Sequence, residues 1–146
     1  MGWFPNSRLF PKVERLNSDI DYKGSSLYRM RYYNRPSSLK KNLNARHWKL
    51  YKVLKDYFSR VWAPSNLDLS FGMLKEHFKA ALMTSEFARE KDVLLSAVDA
   101  LANYGADMWF EISPRNVAVR NGKLILLDCF FMRKKLLSKL KKRLTF

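Results

Sequence analysis

Between residues 39 and 61 apolar side chains return at steps of three and four or their sums: Leu39, Leu43, Leu50, Leu54, Phe58 and Val61, with Trp48 and Tyr51 beside the stripe. That period lines one face of a helix, and Lys40, Lys41, Lys49, Lys52 and Lys55 lie mostly off it. Ser37 or Ser38 can cap the free amides of the first turn, and Pro64 ends the run, so the pattern predicts one helix from residue 39 to just before Pro64. Ser70 caps a second predicted helix with Leu74, Phe78, Ala81 and Leu82 inward. A third is expected from about Ser85 to Tyr104, burying Phe87, Leu94, Leu95, Val98, Leu101 and Ala102, with Gly105 supplying the left-handed residue that ends it.

Elsewhere the period shortens to two. Pro5 and Pro11 hold the first dozen residues extended. Lys12–Leu16 reads as a short strand, and Leu27–Tyr33, alternating apolar or aromatic with basic residues, as its partner. Val117–Arg120 and Lys123–Leu127 flank Asn121-Gly122. Asn-Gly between two apolar runs is a strong hairpin signal, because both residues tolerate the positive φ of a type I′ turn. Arg133 to Thr145 sets Leu136, Leu137, Leu140 and Leu144 at helical spacing among cations, which reads as a basic amphipathic helix. The expected fold class is α+β: one domain over residues 1–132, followed by the basic helix over 133–146.

Charge adds a functional dimension. The chain of 146 residues has a net charge of +15, distributed unevenly. Residues 1–62 hold 14 Lys/Arg against 4 Asp/Glu, residues 63–132 hold 7 against 9, and residues 133–146 hold 7 against none. Such an excess favours an anionic partner, either an acidic protein surface or nucleic acid, with an anionic membrane surface as a further destination for the last helix. Candidate anion-binding residues are Arg29, Arg31 and Arg35 beside Tyr28, Tyr32 and Tyr33; Lys49 and Lys52; and Arg133, Lys134, Lys135, Lys139, Lys141, Lys142 and Arg143. If the strand over 27–33 has one open face, Arg29 and Arg31 share it. Trp48, Tyr51 and Tyr57 among lysines fit base stacking less well than a buried aromatic face with a wet edge.

Other chemistry is bounded by composition. Cys129 is the sole cysteine, so the chain forms no internal disulfide and no cysteine-built zinc site. His47 and His77 are expected at or near the surface without a catalytic role, and Met73, Met83 and Met108 as core filling. No apolar run reaches the roughly 20 residues that span a bilayer. With no signal-peptide pattern at Met1–Pro5, the expected location is cytoplasmic.

One segment has a more specific arrangement. A helix leads to Trp109-Phe110-Glu111-Ile112-Ser113-Pro114-Arg115-Asn116, then to the hairpin and Asp128. This resembles the catalytic loop of the protein-kinase and aminoglycoside-phosphotransferase superfamily. In that family an acidic residue precedes an Asn by five positions, and a metal-binding Asp closes the following strand. The resemblance implies a reduced kinase-like C-lobe with a vestigial two-stranded N-lobe piece and three main helices. Residues 32–34 would form the hinge that holds adenine. The overall pattern is similar to small kinase-like proteins of tailed bacteriophages, which implies a host-directed role in the host cytoplasm.

If activity is retained, the resemblance makes Glu111 the catalytic carboxylate, with Asn116 and Asp128 holding magnesium for ATP; otherwise no cofactor is expected. Several positions depart from the family. Glu111 stands where the family has Asp, Trp109-Phe110 where it has His-Arg, and Ser113 where it has a basic residue. The glycine-rich phosphate loop and the strand lysine with its helix glutamate are expected to be missing. The leading expectation is therefore a non-catalytic, kinase-derived regulator that binds an acidic macromolecule. The alternatives are a minimal magnesium-dependent phosphotransferase and a basic nucleic-acid-binding module.

Overall fold

The computed structural model describes residues 8–15, 28–61, 70–83, 85–102, 108–127 and 130–132. The fold is mixed α+β, with helices and three antiparallel strand pairs among those residues. Strand β1 (Val13–Arg15) pairs with β2 (Tyr28–Met30). Strand β2 ends at Met30, short of the predicted Tyr33, where the chain leaves the ladder and Asn34 bridges to Val119.

The predicted helix over 39–63 is broken in two. Helix α1 (Leu39–Asn42) is capped by Ser38, whose side chain accepts from the Lys41 amide. The chain then turns extended at Leu43, and α2 begins afresh at Ala45–Val61. The reason is local: Asn44 caps α2, its Oδ1 accepting the His47 amide at 2.9 Å, while its own amide donates to the Gly122 carbonyl at 2.8 Å. An unbroken helix would spend that amide internally. The apolar stripe survives the break, because Leu43, Leu50, Leu54 and Val61 are all buried. Tyr51 and Tyr57 are buried and Lys49, Lys52 and Lys55 exposed, the arrangement of an aromatic face with a wet lysine edge.

Ser70 caps α3 (Phe71–Ala81), accepting from the Met73 amide, and Leu74, Phe78 and Leu82 are buried. The third predicted helix starts as a 3₁₀ turn over Ser85–Phe87 and becomes α4 at Ala88–Ala102. An ion pair between Lys75 and Asp99 ties α3 to α4. Met73 and Met83 correct the expectation of core filling: they are 49% and 80% exposed, because Leu74 and Leu82 take the inward positions beside them. Gly105, Cys129 and the helix expected over 133–146 lie outside the described residues.

Strand β3 (Met108–Phe110) pairs with β6 (Phe130–Met132), with Phe110 opposite Phe130. The sequence patterns do not announce this pair. Between its strands lies the hairpin of β4 (Val117–Arg120) and β5 (Lys123–Leu126), whose turn residues have φ of 50° at Asn121 and 71° at Gly122. The hairpin separates two apolar clusters. Val117, Leu124 and Leu126 face the main core with the helices, while Ala118 and Ile125 face Tyr33. Its outer edges are occupied as well. The Val119 amide donates to the Asn34 carbonyl, and the Leu126 amide donates to the Leu9 carbonyl at 2.8 Å.

Gly122 is needed where it stands, because a side chain is strained at that φ. A β-branched residue there is expected to cost about 1–3 kcal/mol. Gly122→Val should therefore lower the urea midpoint and leave the slope of the transition unchanged.

Candidate functional site

The segment singled out in the sequence, Trp109 to Asn116, runs from β3 into a loop. Trp109 and Phe110 are fully buried, and Glu111 emerges half-buried after them. Pro114 and Arg115 form the corner of a turn closed by the Asn116 amide, which donates to the Ser113 carbonyl at 3.0 Å. The Asn116 carbonyl in turn accepts the Leu127 amide at 2.8 Å. The chain is thus pinned on both sides of the loop: residue 116 to residue 127, and residue 110 to residue 130. Of the two oxygen donors a magnesium ion would take, Asn116 is described and half-buried, and Asp128 lies outside the described residues.

The hairpin turn docks on the start of α2. Beside the Asn44–Gly122 bond, the Leu124 amide donates to Nδ1 of His47 at 3.2 Å. An accepting Nδ1 puts the neutral ring's proton on Nε2. Burial, and then the neighbouring Arg46, hold the imidazole below its ordinary range; Glu90 opposes this and Lys123 adds to it. A doubly protonated ring has no lone pair for Leu124. In the window below about pH 6.5 the unfolded chain therefore binds more protons at this site than the folded one. Its contribution to stability is complete above that pH and is lost as pH falls through the lower folded value. His47→Ala should flatten that part of the stability–pH curve, measured by urea unfolding. It should also cost about 1–3 kcal/mol at neutral pH, because the buried Leu124 amide loses its acceptor.

Arg46 is fixed next to this histidine. Its guanidinium meets the Glu90 carboxylate through two bonds of 2.8 and 3.0 Å, donates to the Glu86 carbonyl, and lies 5.4 Å from the centre of the Phe87 ring. Burial is the largest single influence on Glu90 and works against its charge. The Arg46 bonds, a backbone hydrogen bond and the neighbouring Arg46 and His47 charges together outweigh it and hold the carboxyl below its usual range.

The cations anticipated from sequence divide into three groups. Arg29 pairs with Glu14 at 2.6 Å on an open surface, and Lys49 pairs with Glu86 at 2.6 Å beside Phe87. Arg31, Arg35 and Lys52 are exposed and form no ion pair among the described residues. The seven cations from Arg133 to Arg143 lie outside the described residues.

Sequence reading named Arg31 but missed the cations that join it at the hairpin. Arg120 and Lys123 stand directly opposite each other across the turn. Lys12, Arg31 and Arg120 line one hollow on that side, and Arg8, Lys12, Arg120 and Lys123 line the next, with Tyr33 on both. None of these five cations is ion-paired among the described residues. The hairpin register contained the signal: residues 120 and 123 flank a two-residue turn, so two like charges must face one another. No family model, curated protein or solved structure matches the chain. No helix among the described residues is long and apolar enough to cross a membrane.

Proposed function

We propose that this chain is a non-catalytic binding protein on a reduced kinase-like scaffold, engaging an acidic macromolecule through the cationic face around the Asn121-Gly122 turn. The observation that carries the reading is the opposed pair Arg120 and Lys123, with Arg8, Lys12 and Arg31 lining the adjoining hollows. Like charges directly opposite on a hairpin are destabilising on their own. An anionic partner converts that cost into binding energy and draws encounter partners to the face.

The kinase-like half of the reading is supported by element order: helix, short strand, loop with Glu111 and Asn116, tight hairpin, and a closing strand paired with the first. The non-catalytic half is supported by side chains. Trp109 and Phe110, standing in place of His-Arg, are committed to the core. Tyr33, from the segment that would receive adenine, packs its own ring on Ala118 and Ile125. A phage-encoded regulator acting on a host component is the biological setting this reading implies.

One observation favours nucleic acid as the macromolecule. Tyr32 is 86% exposed between Arg31 and the nearby Arg35, and aromatics beside cations stack single-stranded bases. The test is fluorescence anisotropy with labelled single-stranded RNA and with poly-glutamate. Binding to either at low salt, weakening steeply towards physiological salt, is expected. Tyr32→Ala should weaken RNA binding alone. Binding of neither polymer sinks the macromolecular reading, and magnesium-dependent phosphate transfer from ATP to a generic substrate sinks the non-catalytic one.

A further inference from the structure

On the other side of the hairpin turn a separate cavity of about 340 Å³ opens between residue 8, the start of α2 and the start of α4. Its polar lining includes Arg8, Arg46, His47, Arg89, Glu90 and Lys123. Arg46 and Glu90 neutralise one another through their two-bond pair. Arg8, Arg89 and Lys123 remain, three cations from three distant parts of the chain with no ion pair among the described residues. The surroundings are held in place: Arg46 by Glu90, the Glu86 carbonyl and Phe87, and His47 by the Leu124 amide. Neutral His47 keeps one N–H, on Nε2, and guanidinium groups present flat forks of donors.

We propose that this cavity is a binding site for a small molecule carrying a phosphate monoester. Three uncompensated cations match a dianion with several acceptor oxygens better than a carboxylate, which would leave two of them without a counter-charge. The volume lies at the low end of small-molecule sites, suited to one phosphorylated group on a compact body rather than to a polymer backbone. The inference goes beyond the macromolecular reading. Arg8 and Lys123 border both hollows, but Arg46, His47, Arg89 and Glu90 line this cavity and not the hollow that shares them.

The test is isothermal titration calorimetry on the full chain with glycerol 3-phosphate, inorganic phosphate and acetate. Saturable binding of glycerol 3-phosphate is expected, with acetate weaker by about tenfold or more. Arg89→Ala and, independently, Arg8→Gln should each weaken binding by about tenfold, since each removes a charge-assisted hydrogen bond. Arg31 lines the polymer-facing hollow and not this cavity, so Arg31→Glu should leave ester binding unchanged while weakening binding to the acidic polymer, and the two sites fail separately. Tighter binding of inorganic phosphate than of the ester would replace the ester reading with one for the free ion. No saturable heat with the ester, equal affinity for acetate, or indifference to both substitutions in protein with unchanged thermal unfolding would overturn the proposal.

Discussion

Phe78→Ala is expected to destabilise the protein by about 3–5 kcal/mol, the range for a large aromatic removed from a core that cannot close over the gap. Phe78 is fully buried and meets three other rings: Phe110 edge-on at 5.0 Å, Tyr57 at 5.2 Å and Trp109 at 6.4 Å. Those rings come from α2 and β3, so collapse into the cavity would have to move two elements at once. Tyr57 is further held by its hydroxyl, which donates to the Leu74 carbonyl at 3.1 Å. A loss of this size is a large part of the roughly 5–15 kcal/mol typical of a whole domain. Urea unfolding of the two proteins at neutral pH measures it, and a difference below about 1.5 kcal/mol would show that the cluster repacks.

The other large effect is on binding. Reversing Lys12, Arg31 and Arg120 together to glutamate should weaken binding to the acidic polymer by about a thousandfold or more, given about 1.5–3 kcal/mol for each charge-assisted hydrogen bond removed. If the polymer is RNA, the slope of log K against log salt should fall by about three. In Arg120→Glu alone stability should move the opposite way. A carboxylate there would face Lys123 across the turn and turn a repulsive cross-strand pair into an attractive one worth a few tenths to about 1 kcal/mol, whereas reversal at 12 and 31 sets like charge near Glu14. A variant that binds worse and unfolds later separates a functional patch from a structural one. If affinity is unchanged, the cationic face is not where the polymer sits.

What the sequence made legible followed from local rules. Asn121-Gly122 dictated its turn because few other residue pairs adopt two successive positive φ angles. Ser38 and Ser70 capped the helices they were expected to cap, and the inward sides of α2 and α3 followed the helical period. The misses were long-range. The break at Leu43 depends on Asn44 reaching Gly122, a residue far along the chain, and no periodicity registers that. Three-residue strands such as β3 and β6 are too short to show alternation, and their pairing spans a hairpin that both flank. For the site, charge count pointed to an anionic partner, but the cations that converge come from residues 8–12, 31, 89 and 120–123. Arg29 and Lys49 looked equivalent to them in sequence, yet cross-strand Glu14 and the 3₁₀ turn's Glu86 occupy them.

The Leu126–Leu9 bond means that the ribbon at the centre of the fold relies on a segment near the chain's beginning for its outer hydrogen-bonding row. A version trimmed to begin at residue 11 would keep the turn and the Leu124–His47 bond but leave the Leu126 amide open and uncover the core that Leu9 and Phe10 close. An open backbone donor on a strand edge beside uncovered apolar surface recruits strands from neighbouring molecules. Trimming should therefore appear first as self-association on concentration, ahead of any loss of helix.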